Sequence, residues 1–82
     1  MKKLIRILSK NTEGMLLIPI DDAIILNEND FIKIYHKSLK ILVQCDDSNY
    51  SSKLIMDGII NLLCTTNKNN ILTIYSSFRL TN

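Results

Sequence analysis

The stretch with the clearest chemical potential lies in the middle of the chain, where residues 31–37 read Phe-Ile-Lys-Ile-Tyr-His-Lys. Successive side chains of a strand point to opposite faces, so this alternation predicts one face that carries Phe31, Lys33, Tyr35 and Lys37. Sheets that bind single-stranded nucleic acid use such a surface, because aromatic rings stack on bases while lysines contact phosphates. The same aromatic area also suits an interface between two protein subunits.

The first ten residues add a basic segment that contains Lys2, Lys3, Arg6 and Lys10. The first three of these would help the aromatic face to contact an anionic partner. The simpler interpretation of the segment, which we prefer, is a solvated strand face. The net charge of +2 is too small to indicate a nucleic-acid or membrane partner by itself.

Catalytic chemistry has few candidates in this chain. His36 is the only histidine, and adjacent carboxylates occur at 21–22 and 46–47, where turns and helix caps also favour Asp. A hydrolase or metal enzyme would have to use His36 with Asp22 or Asp47. Because no nucleophile or ligand set accompanies these residues in the sequence, we expect no enzyme activity, no metal and no cofactor.

The cysteines and glycines exclude further classes of site. Cys45 and Cys64 are too few for a disulfide framework and fit no zinc pattern, so we expect two buried apolar thiols in a reduced compartment. One disulfide between them is the alternative. Gly14 and Gly58 are the only glycines, which excludes a glycine-rich phosphate loop.

The length of 82 residues indicates a single small domain, residues 1–82. The longest apolar run is four residues, which predicts no membrane span, and no signal peptide is recognised. We therefore expect a cytoplasmic protein. The chain also resembles small phage and viral proteins in its length and its Ile, Asn and Lys bias, and the compartment would then be the host cytoplasm.

Five segments before residue 46 are predicted strands because they are short, apolar or alternating, and bounded by polar turns. They are residues 3–8, 15–20, 23–26, 31–36 and 39–45. Pro19 near the end of the second segment predicts an edge strand or a strand end, because proline cannot donate a ladder hydrogen bond.

A change to helical spacing follows. The predicted helix runs from about Ser51 to Cys64, with Ser51 or Ser52 as the N-cap. Its apolar stripe comprises Leu54, Ile55, Gly58, Ile59, Leu62 and Leu63. We expect Gly58 where the helix crosses the sheet closely. A last strand is predicted at residues 71–75, and residues 76–82 are predicted to form a tail that is anchored by Phe78 and Leu80.

These elements predict an α+β fold in which an antiparallel meander of four to five strands precedes one amphipathic helix and a short C-terminal strand. One helix covers only about three strands, so apolar residues on the other sheet face need a partner. We expect a homo-oligomer, most simply a dimer. The predicted function is a non-enzymatic interaction or structural module, and the alternative is a module that binds single-stranded nucleic acid.

Two resemblances accompany this interpretation. The order of four antiparallel strands and a helix is similar to the dimeric single-strand-binding coactivator and whirly-type folds. Residues 18–26, followed by 31–35, look like the first half of a LytTR DNA-binding domain. The chain departs from that family after Leu42, where a helix follows without a basic base-reading segment. Neither resemblance assigns a role to a residue of this chain.

Overall fold

A computed structural model describes residues 2–9, 14–28, 30–45, 51–65 and 70–81. Its elements are β1 (Leu4–Leu8), β2 (Met15–Pro19), a 3₁₀ turn (Ile20–Asp22), β3 (Ala23–Glu28), β4 (Phe31–His36), β5 (Leu39–Gln44), α1 (Ser52–Cys64), β6 (Ile71–Tyr75) and β7 (Phe78–Thr81). The predicted α+β class, with antiparallel strands, one helix and a C-terminal strand, is confirmed.

The strands form two sheets, whereas the sequence suggested one meander. The first sheet has the order β2-β1-β6, and the second has the order β3-β4-β5-β7. All neighbours are antiparallel except β1 and β6, which run parallel. Pro19 lies at the end of β2, which is an edge strand, as predicted.

Both sheets and the helix contribute side chains to one hydrophobic core. Isoleucine dominates this core, and its buried members are Ile5, Ile7, Ile18, Ile20, Ile32, Ile34, Ile41, Val43, Cys45, Ile55, Ile59, Leu62 and Ile74. Both sheets contribute their inner side chains to the cluster, so they cover much of each other's apolar surface. A single helix therefore does not have to cover five strands.

Helix α1 begins as predicted, because the Ser51 side chain accepts a hydrogen bond from the Leu54 N–H at 3.3 Å. The helix packs against β6 and β3. Gly58 lies at the close approach: a Cβ there would be 3.2 Å from Leu72 Cδ1 of β6. Leu54 and Leu63 of the predicted apolar stripe are exposed instead of buried. In the described segments, no helix is both long and apolar enough to cross a membrane.

Other local predictions need correction. The predicted tail contains strand β7, whose residues pair with β5, and β3 extends to Glu28. Both cysteines are free; Cys45 is buried as predicted, but Cys64 is exposed at the end of α1. The adjacent carboxylates at 46–47 lie outside the described residues.

Ser76 connects the two sheets where the chain passes from β6 to β7. It is only 4% exposed. Its backbone N–H donates to the Leu8 carbonyl of β1, and its hydroxyl donates to the Gln44 carbonyl of β5. In addition, the Gln44 N–H donates to the Ser77 carbonyl. One buried residue thus bonds to a strand of each sheet.

We expect Ser76→Ala to lower the free energy of unfolding by about 1–2 kcal/mol, because the Gln44 carbonyl loses a hydrogen-bond donor while the side-chain volume hardly changes. Urea denaturation followed by circular dichroism measures this loss. Ser38→Ala, in the exposed turn between β4 and β5, is the control and should change stability by less than about 0.5 kcal/mol. Equal stability of the two variants would contradict the role of Ser76.

Candidate functional site

The outer face of the four-stranded sheet combines apolar, aromatic and cationic side chains. We call it the mixed face, and its members are Ile24, Leu26, Glu28, Phe31, Lys33, Tyr35, Lys40, Leu42, Gln44, Arg79 and Thr81. The strand register arranges these residues in three rows across the sheet. Each row therefore contains residues from several strands, so side chains distant in sequence become neighbours.

The central row of the mixed face runs Leu26, Lys33, Leu42, Arg79. The Arg79 guanidinium lies 5.9 Å from the centre of the Phe31 ring, within the range of a cation–π contact. Lys33 Nζ lies 3.2 Å from Glu28 Oε2.

The next row places Lys40 directly opposite Tyr35. The mixed face thus carries three cations, Lys33, Lys40 and Arg79, and one carboxylate, Glu28. This excess of positive charge favours an anionic ligand.

A groove opens at the β7 side of the mixed face. Its volume is about 340 Å³, and it is lined by Phe31, Leu42, Gln44, Ser77, Phe78 and Arg79. This volume is at the lower end of the range found for small-ligand pockets. The lining offers an aromatic ring, a guanidinium and an amide, which can bind a flat polar group that carries negative charge.

The outer face of the three-stranded sheet is much more apolar. We call it the apolar face, and its members are Leu4, Arg6, Leu8, Met15, Leu17, Pro19, Ile71, Thr73 and Tyr75. Met15, Leu17, Ile71 and Tyr75 are all exposed large side chains. Because exposed apolar side chains often occur singly, we treat this cluster as a candidate interaction surface.

Arg6 occupies the centre of the apolar face. It lies between Leu17 of β2 and Thr73 of β6 in one row. Its Nε and Nη2 both donate to Thr73 Oγ1, at 3.0 and 2.8 Å. The hydroxyl holds the guanidinium in place, and none of the described residues of this face carries a negative charge to pair with it.

The structure divides the seven residues that the sequence suggested for nucleic-acid contact. Phe31, Lys33 and Tyr35 share the mixed face. Lys37 lies in the turn beyond β4, with a φ of 56° that is unusual for a residue other than glycine. Arg6 belongs to the apolar face, and the exposed Lys2 precedes β1.

Lys3 has a structural position instead. Its Nζ donates to the Leu63 carbonyl at 2.8 Å and to the Thr65 carbonyl at 2.9 Å. The last carbonyls of a helix have no partner within the helix, and the negative end of the helix dipole favours a cation there. Lys3 therefore ties β1 to the end of α1.

Lys40 and Arg79 are cations of the mixed face that were not among the seven residues predicted from the sequence. The alternation of residues 39–45 did place Lys40 on the face opposite Ile41 and Val43, but its position beside Tyr35 depends on the pairing of β4 with β5. Arg79 lay in a segment interpreted as a tail. Its contact with Phe31 requires β7 to pair with β5.

Of the catalytic candidates, the structure places His36 close to Asp22, because Ala23 pairs with His36 across β3 and β4. His36 ends β4, and its Nδ1 is buried without a hydrogen-bond partner among the described residues. Asp22 is exposed in the 3₁₀ turn, and Asp47 lies outside the described residues. Within the described segments, no group of three or more His, Cys, Asp or Glu side chains is placed to hold a metal ion.

Comparison with known proteins adds no assignment. No family model matches the chain, and no curated protein or solved structure matches it. The chemistry of the two faces is therefore the basis for a functional proposal.

We expect Lys3→Met to lower the free energy of unfolding by about 1 kcal/mol, because two carbonyls at the end of α1 lose a charged donor. Lys2→Met removes the same charge from an exposed neighbour and should cost less than about 0.5 kcal/mol. Urea denaturation of the two variants gives the comparison. If both lose the same stability, Lys3 has no special role at the helix end.

Proposed function

We propose that this protein is a non-enzymatic interaction module that self-associates through its apolar face. The observation that carries the proposal is the cluster of exposed Met15, Leu17, Ile71 and Tyr75 around Arg6. Aromatic residues, Met and Arg are enriched in the centres of protein interfaces, where they supply contact area and directed hydrogen bonds. Burying this cluster against a partner removes apolar surface from water.

A second copy of the chain is the partner that best fits the charges. Arg6 has N–H groups beyond those that contact Thr73. The chain leaves the apolar face at Pro19 and continues into a turn with exposed Asp21 and Asp22. In a two-fold dimer these carboxylates at the rim of one copy supply acceptors for the central Arg6 of the other, and each contact forms twice.

The mixed face is a poorer surface for self-association. Lys33, Lys40 and Arg79 outnumber its one carboxylate, so two copies placed face to face would bring like charges together. On the apolar face the only charged side chain is Arg6. The difference in charge therefore favours the apolar face over the mixed face as the dimer contact.

The size of the apolar face indicates a weak dimer. Three strands about 4.8 Å apart, each five residues long with a rise of about 3.4 Å per residue, give a footprint of roughly 240 Å². A standard interface takes about 800 Å² of accessible surface from each partner, and although the accessible surface of the face exceeds its flat footprint, that footprint is only about a third of this area. Even with contacts from the rim, we expect a dimer that dissociates on dilution.

We also propose a cytoplasmic location for the protein. Both thiols are free, and Cys64 is exposed to solvent. An exposed free thiol is typical of reducing compartments, which supports the cytoplasmic location expected from the sequence.

The test compares two leucines of similar exposure on the two faces: Leu17 at 50% and Leu26 at 43%. We expect Leu17→Glu to weaken dimerisation by about tenfold or more, because it puts a carboxylate into the buried contact. Leu26→Glu should leave the dimer unchanged. Sedimentation velocity over a wide concentration range, up to millimolar protein, measures both. The Leu17 variant should stay folded, because the new carboxylate lies beside Arg6 in the same row.

Two results would contradict this assignment. A wild-type protein that stays monomeric at millimolar concentration has no self-association to explain. A dimer that is disrupted by Leu26→Glu and not by Leu17→Glu would place the contact on the mixed face.

A further inference from the structure

We propose that the mixed face binds single-stranded nucleic acid, with the rings of Phe31 and Tyr35 stacking on bases and three cations contacting phosphates. The cations are Lys33, Lys40 and Arg79. This site differs from the one suggested by the sequence, because it takes its cations from β4, β5 and β7 and omits Lys2, Lys3 and Arg6. It is separate from the apolar face and does not depend on dimerisation.

A cation lies beside each aromatic ring of the mixed face. Lys40 is the cross-strand neighbour of Tyr35, and Arg79 lies 5.9 Å from the centre of the Phe31 ring. Lys33 stands between the two rings on the same strand. A base stacked on either ring would therefore have a positive charge close to its own phosphate, which is the arrangement that single-strand-binding surfaces use.

The spacing of the two rings favours a single strand over a duplex. Phe31 and Tyr35 are four residues apart on one strand, which separates them by about 13 Å. Bases in a duplex stack on each other and cannot lie flat on two separate rings of an open sheet. An extended single strand can turn individual bases out of its own stack and lay them on the protein. The face therefore fits a single strand better than a duplex.

The groove beside Phe31 offers space for a base. Its volume of about 340 Å³ is open to the mixed face, and Arg79 and Gln44 are part of its lining. A base next to the Phe31 ring can occupy this groove, where an amide offers both a donor and an acceptor to the base edge. The groove thus marks one end of the binding path, and Tyr35 marks the other.

The one carboxylate on the face does not oppose this occupant. Glu28 Oε2 lies 3.2 Å from Lys33 Nζ, and both side chains are partly exposed. Surface ion pairs of this kind contribute little to stability, so Lys33 can exchange Glu28 for a phosphate at small cost. Net positive charge remains on the face even with Glu28 counted.

Fluorescence anisotropy at low salt provides the test, with three labelled probes of equal length: an oligo-dT strand, a strand of abasic sites, and a duplex. We expect oligo-dT to bind more tightly than the duplex and more tightly than the abasic strand, because only oligo-dT offers free bases as well as phosphates. With three phosphates contacted, the logarithm of the binding constant should fall with the logarithm of salt concentration with a slope of about −2.

Variants assign the binding to the mixed face. We expect Lys33→Glu to weaken oligo-dT binding by about tenfold, whereas Lys53→Glu, the same charge change on the exposed surface of α1, should weaken it by less than about twofold. Arg79→Gln should reduce the magnitude of the salt slope by about 0.7. Tyr35→Leu should weaken oligo-dT binding by about fivefold or more and leave abasic-strand binding unchanged.

Circular dichroism spectra and urea denaturation of each variant exclude unfolding as the cause of lost binding. Equal binding of oligo-dT and the abasic strand would overturn the stacking role, and equal loss in Lys33→Glu and Lys53→Glu would overturn the site. No binding of oligo-dT at low salt would overturn the proposal as a whole. Sedimentation of the same variants separates this proposal from the dimer, because Lys33→Glu and Tyr35→Leu should retain self-association.

Discussion

Hydrogen bonds connect the two sheets at the corner where the chain passes from β6 to β7. There the Ser76 N–H bonds to Leu8 of β1, and the hydroxyl bonds to Gln44 of β5. These hydrogen bonds satisfy the polar groups of Ser76, which is buried, so that leaving them unpaired would be costly. The same corner fixes β6 beside β1 and β7 beside β5. The shared isoleucine core depends on this arrangement, because it brings both inner faces to one cluster.

The side chains that enter this core determine which side chains are exposed on the outer faces of the sheets. Since side chains alternate along a strand, every residue that points into the cluster has a neighbour that points away from it. Helix α1 packs against β6 and β3 and contributes Ile55, Ile59 and Leu62 to the core. It leaves the outer side of both sheets uncovered, so a chain of this size displays two sheet faces. One is mixed and positively charged, and the other is apolar around one arginine.

The local elements could be predicted because their signals are local. Ser51 caps α1, Gly58 lies at the close approach to β6, and Phe31, Lys33 and Tyr35 share an outer face. Each depends on spacing within a few residues, which the sequence displays directly.

The parallel pairing of β1 with β6 could not be predicted in this way. Arg6 and Thr73 are 67 positions apart, and nothing in the alternation of either segment specifies the other as its partner. Arg79 lies on the mixed face and Lys3 does not, and both facts depend on contacts between segments that are distant in the sequence. Cations are therefore easier to find in the sequence than to assign to a face.

The two proposals have a joint physical consequence. If the apolar faces of two copies pack together, each mixed face stays outside the contact, because it belongs to the other sheet of its own copy. The dimer then carries two sites, one on each copy. They can bind two strands, or two distant segments of one long strand, and the second contact then benefits from the high effective concentration that the first creates. A weak dimer of a weakly charged protein would thereby bridge nucleic-acid segments without a high affinity at either site.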